Sequence, residues 1–268
     1  MVKKLASISK YLFLCLVLLF VYAPILILVV YSFVDTNTIG KWGEFTWEHY
    51  IYLFESEKIM PIVWQTALMA LIVAVLSTIL GTLGAIGIFY SKRKTSALLS
   101  GVSQIPVINA EIVTALSIAV MVSAIGFLSK ETYLPLICGL MTLCTPFVVL
   151  SVIPKLKQMD NNLYEAALDL GATPTQALFK VVIPQILPGI FSGFLLSVTL
   201  SLDDYVITAY TKPSSFDTIS TYLYSLNKGG ATARIKAAFW ALTAIIFLII
   251  VIVVIVANIR AIKAKQES

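Results

Sequence analysis

Three carboxylates stand inside otherwise apolar runs of this sequence: Glu111, Asp203 and Asp204. A charged side chain at the centre of a membrane helix costs roughly 2.5 to 3.5 kcal/mol on the insertion scale, so such groups face protein or water and are functional candidates by default. No lysine or arginine shares their runs. Acids without intramembrane bases are suited to receiving a cation, or to relaying protons. Adjacent Asp203 and Asp204 point about 100° apart on a helix. Both can line one path only near a helix end or break, and either can instead cap a helix. Glu111 follows Gln104, Pro106 and Asn109, a polar, kink-prone stretch that can line a cavity; a hydrogen-bonded Glu111 in a dry interface is the alternative. Tyr205, Tyr210 and Trp240 either add aromatic faces to a cation site or anchor the chain at a membrane boundary.

A second set of residues suits docking. The stretch EAALDLGATPTQALFKVVIPQILP, Glu165 to Pro188, is a polar hairpin lodged between two apolar segments. Asp160 or Asn161 can cap a short helix through Leu170, and Gly171 can leave it by a left-handed turn. Pro174 suits the first turn of a second helix running toward Pro184. The first helix is expected to bury Leu163, Ala166, Ala167 and Leu170 while showing Glu165 and Asp169. Those two like charges, four residues apart, call for something basic opposite them. An ordinary amphipathic interfacial helix is the alternative reading.

The elements that must position these residues are membrane helices. Of 268 residues, 59% are hydrophobic and 12% charged, against about a quarter charged in soluble domains. Six apolar runs can cross a hydrocarbon core roughly 30 Å thick: 11–33, 63–88, 97–127, 134–156, 185–210 and 237–259. The expectation is an all-α membrane protein with six transmembrane helices in one domain, residues 1–268, and a cytoplasmic loop at about 157–184. Counting about 1.5 Å per residue places Glu111 roughly 21 Å from Ala97 and the Asp pair roughly 27 Å from Gln185, in the outer half of the membrane. With the N-terminus inside, twelve basic and four acidic residues lie on the cytoplasmic side and seven of each lie outside. The positive-inside rule therefore puts both termini and the Glu165 loop in the cytoplasm. The net charge of +5 reflects topology and gives no support to a nucleic-acid partner.

Other chemistries are disfavoured. Cys15, Cys138 and Cys144 all lie in apolar runs, without disulfide or metal spacing, and His49 is the single histidine. No metal or cofactor is expected. No Gly-rich phosphate loop is present, so any ATPase must be another chain. The first run, 23 residues with no Ala-x-Ala site, reads as a retained signal anchor.

Glu165, Ala166, Ala167 and Gly171, followed by Val181-Val182-Ile183-Pro184, resemble the EAA loop of permease subunits of bacterial ABC importers. The run SLDDYVITAYTKPSSFDTISTYLYSL, Ser201 to Leu226, is similar to the second permease of spermidine/putrescine importers, over most of the chain. The family's Thr-Leu-Pro is Thr218-Ile219-Ser220 here.

The resemblance implies the type I importer fold and a bacterial inner membrane location. It implies a non-catalytic subunit forming half of a polyamine pathway at Asp203, Asp204 and Glu111, to which the aromatic candidates Tyr205 and Trp240 are added. Glu165, Ala166, Ala167 and Gly171 would couple to an ATPase, with the charge of Asp169 beside them. The partners implied are a homologous permease, two ATPase subunits, an extracytoplasmic polyamine-binding protein and membrane lipid. The alternatives are an importer of another small solute, or a proton-coupled secondary transporter using the same acids; no inverted repeat is detected to favour the latter.

Overall fold

The computed structural model describes residues 2–36, 40–125, 131–160, 162–229 and 233–266. Among them the regular structure is helical, apart from one isolated bridge between Val34 and Phe45. Four helices are long and apolar enough to cross a membrane, or five if one sharply bent pair counts as a span. Six had been expected from the apolar runs. The last run, 237–259, lies within a single long helix, and part of it carries side chains outside the described set.

The chain divides into two compact units. The first comprises Met1–Pro61 and Leu226–Ser268. Here α1 (Val2–Tyr31) and the short α2 (Glu48–Glu55) both pack on the C-terminal helix Ala233–Gln266. The loop before α2 is held by main-chain bonds, Asp35 N to Glu44 O at 2.8 Å and Thr46 N to Phe33 O at 2.9 Å. Gly43 is required there, because a Cβ would run into the Asp35 carbonyl. Phe33, Phe45, Trp47 and Tyr50 form a ring cluster with centroids 5.1 to 5.8 Å apart. His49 is buried with Nε2 3.0 Å from the Val34 carbonyl oxygen.

The second unit, Ile62–Ser225, carries the residues of interest. Its axis is α6 (Leu134–Gln158), which packs closely on the helix Ile183–Asp203. Without hydrophobic contrast against lipid tails, helices associate by close contact of small residues. Gly189, Gly193, Ser197 and Ser201, four apart, form such a ridge, all buried. Gly81, on α3 (Ile59–Tyr90), approaches the other side. A Cβ at Gly81 would lie 2.6 Å from Val148 Cβ, and one at Gly193 3.1 Å from Val148 Cα. Val148 is fully buried between them. Gly193→Val therefore overpacks this junction, by about 1 to 3 kcal/mol. Thermal unfolding of the purified protein in detergent should show a fall of several degrees, partly recovered by adding Val148→Ala. An unchanged midpoint would mean that the helices separate without cost.

Two of the expected spans are broken. The run 97–127 is two helices, α4 (Arg93–Ile108) and α5 (Glu111–Ile125), bent by 100°. Pro106 removes a main-chain donor near the end of α4, and Asn109 is extended at φ −74°, ψ 147°. The straight-helix depth assigned to Glu111 therefore does not apply. The run 185–210 is also displaced. Its helix starts at Pro174, inside the expected loop 157–184, runs 30 residues to Asp203 and stops; a separate α10 follows at Val206–Thr211. Residues Leu178–Val182 form one widened π turn ahead of Pro184. The ring of Pro184 would clash with the carbonyl four residues back in an ordinary helix, which explains the widening.

Candidate functional site

The hairpin is built by local bonds. Helix α7 (Asn162–Asp169) starts with the Asp160 carboxylate accepting from Asn162 N at 3.0 Å; Asn161 lies outside the described residues. It ends in the paired bonds of a Schellman turn, Ala172 N to Ala167 O at 3.0 Å and Gly171 N to Leu168 O at 2.9 Å. Gly171 has φ +86°, as the sequence required. Thr173 then opens α8 (Pro174–Ala177) with a reciprocal capping box. Thr173 Oγ1 accepts from Gln176 N, and Gln176 Oε1 accepts from Thr173 N. The chain continues through the π turn into α9 (Ile183–Asp203).

The burial expected for α7 is not found. No residue of α7 is buried, Leu163 and Ala166 are exposed, and Leu170 is 90% exposed. The contact side is instead the one carrying Tyr164, Ala167 and Leu168, with the Tyr164 ring 5.3 Å from Tyr90. Two groups of side chains are thus left to solvent, apolar Leu163, Ala166 and Leu170 and acidic Glu165 and Asp169.

The intramembrane acids stand at the two breaks. Glu111 is the first residue of α5, exposed, where the helix dipole favours a negative charge. Asp203 is the last residue of α9 and is exposed; its carbonyl accepts from Ser220 Oγ at 3.4 Å. Asp204 is buried and extended, and its carboxylate caps α10. Oδ1 accepts from Ile207 N at 3.3 Å, and Oδ2 accepts from Thr208 N and Thr208 Oγ1, both at 2.8 Å. Helix α10 packs on α5 and α6, and Ala115 and Ile207 share one core cluster. Glu111 stands one turn before Ala115 and Asp204 one turn before Thr208, and the helices α5 and α10 that follow them pack together.

The aromatic candidates have different partners. Tyr205 lies 4.3 Å, centroid to centroid, from Tyr224, on α11 (Ile219–Gly229). Trp240 belongs to the other unit, edge-on to Tyr31 at 6.1 Å and His49 at 6.5 Å. Tyr210 is exposed beside a cavity of about 230 Å³ that Lys212 also lines. The sequence reading missed Thr208, Ser220 and Tyr224. The first was legible, since Asp four residues before Thr at a helix start is a capping pattern. The other two depend on where α11 folds back. No cluster of His, Cys, Asp or Glu suited to a metal occurs among the described residues.

Residues 3–261 match the family described as binding-protein-dependent transport system inner membrane component. The chain is 31% identical over 225 residues to the spermidine/putrescine transport system permease protein PotC of Haemophilus influenzae, covering 84% of this chain and 87% of that one. It is 30% identical over 223 residues to the putrescine transport system permease protein PotI of Escherichia coli, covering 81% and 79%. In structure it resembles a chain of a bacterial ABC transporter that imports alginate, at TM-score 0.74 and 19% identity over 96% of each. It also resembles a chain of the MetNI methionine transporter, at TM-score 0.55 and 20% identity over 78% of this chain and 98% of that one. A multi-pass helical chain with an EAA hairpin and this family match is a member of the binding-protein-dependent transport system inner membrane components, the permease subunits of ABC importers.

Proposed function

We propose that this permease forms half of an ATP-driven import pathway for polyamines, pairing with a homologous permease above two ATPase subunits. The observation that carries the coupling role is α7: a helix fixed at both ends by local bonds and followed by Leu170, left 90% exposed. Uncovered apolar surface beside two carboxylates fits a groove with a basic rim. ATP-driven movement of that groove would carry α7 and, through the continuous helix from Pro174 to Asp203, reach the pathway. A polyamine-binding protein would deliver the solute from outside. The polyamine assignment is supported by the names of the relatives and by exposed Asp203 and Glu111 at helix breaks.

The test is to purify the tagged chain with its operon partners and reconstitute it. ATPase should copurify, and polyamine-loaded binding protein should stimulate hydrolysis. Uptake that instead follows a proton gradient without ATP would remove the reading.

The same proposal puts both termini in the cytoplasm. Gly43 has no room for a Cβ, so the outer loop is better probed at exposed Lys41, and the inner basic run at exposed Lys94. In a variant without Cys15, Cys138 and Cys144, an impermeant thiol reagent on intact cells should label Lys41→Cys and spare Lys94→Cys. The reverse pattern would invert the topology and place α7 outside.

A further inference from the structure

The adjacent aspartates at the end of α9 have different surroundings, and the difference divides their work. Resting on the pathway proposed above, we infer that Asp204 is a positioning residue that never meets the solute, and that its carboxylate holds the corner from which Asp203 faces the pathway. Asp204 is 7% exposed and has three donors on its two oxygens, Ile207 N, Thr208 N and Thr208 Oγ1. A cation reaching it would have to displace bonds that start α10. That helix is seated in the core. Ile207, Thr208 and Thr211 are buried, and Ile207 Cγ2 sits where a Cβ on Gly139 of α6 would come within 2.6 Å. The backbone of Asp204 at ψ 126° turns the chain between α9 and α10, which leaves Asp203 at an exposed helix end. Loss of the cap strands the Thr208 amide and hydroxyl in an apolar setting, and the corner loosens. Position 204 therefore needs a hydrogen-bond acceptor, whereas position 203 needs a negative charge.

The two requirements separate by substitution. Asn and Ser keep an acceptor for the first turn of a helix and carry no charge. In the full importer, uptake of labelled spermidine at saturating concentration should stay within about twofold of parental for Asp204→Asn and Asp204→Ser. Asp204→Ala should lose about tenfold. At the neighbouring position, Asp203→Asn and Asp203→Ser should both lose about tenfold, with Asp203→Glu recovering part. Yield of the assembled complex and its basal ATPase are read alongside. If Asp204→Ala fails to assemble, the Asn and Ser variants still decide. Asp204→Asn as inactive as Asp203→Asn, at normal yield, would show that the charge at 204 is used and would overturn the division. Parental uptake in every variant at both positions would instead remove the acids from the pathway, and with them the reading on which the division rests.

Discussion

Gly171→Val should uncouple the transporter, abolishing stimulation of ATP hydrolysis by loaded binding protein while leaving the permease in the membrane. Gly171 has φ +86° and no atom within 4 Å of an added Cβ, so the cost is conformational and not steric crowding by neighbours. A left-handed residue with a side chain costs roughly 1 to 2 kcal/mol, and a β-branched one is a greater outlier. The Schellman bonds from Gly171 and Ala172 would yield, and Leu170 would leave its place. Because asparagine tolerates this region, Gly171→Asn should retain much of the coupling and Gly171→Ala should fall between. Glu165→Lys should weaken assembly by turning an attraction into a repulsion, seen as lower ATPase recovery in copurification. Full stimulation in Gly171→Val and Glu165→Lys together would remove α7 as the coupling element.

Neutralising both aspartates, Asp203→Asn with Asp204→Asn, should cut polyamine uptake by about tenfold or more, equivalent to at least about 1.4 kcal/mol. Two opposite unit charges about 4 Å apart attract by about 4 kcal/mol at an effective dielectric of about 20, enough to offset ammonium desolvation at a partly hydrated site. Asp203 is exposed and able to supply that attraction. Glu111→Gln should cost less, since it leaves the exposed Asp203 carboxylate in place. Uptake of labelled spermidine and putrescine, in cells lacking other polyamine importers, would be measured against complex yield. Parental rates in the double variant would make the acids structural.

Much of this was legible from residue types, and the parts that were not share one cause. The hairpin was readable because its signals are local: Asp160 before a helix, Gly171 after it, Pro174 at the next start. Membrane helices were readable from the length of apolar runs. Hydropathy is blind to direction, so a run of uniform apolar character reads the same whether its helix is straight or turns through 100° at Asn109. The polar residues inside those runs were read as chemistry, yet Glu111 and Asp204 also stand where helices begin. The burial expected of Leu163, Ala166 and Leu170 failed for another reason. An apolar side chain says that a surface wants covering, and one sequence cannot say whether its own chain or a second protein supplies the cover.

The self-contained turn after α7 has a bearing on ancestry. Its ends are held by bonds from Asp160 to Asn162, from Ala167 and Leu168 to Ala172 and Gly171, and between Thr173 and Gln176, and a Cβ added at Gly171 would meet no atom within 4 Å. Such a piece can be transplanted. Exchanging this segment for that of another permease, with the Tyr90 and Tyr164 ring contact preserved, should redirect which motor subunit the importer accepts without disturbing the membrane helices. Lineages could then swap engines while keeping their cargo, and the two specificities of such a transporter would drift independently.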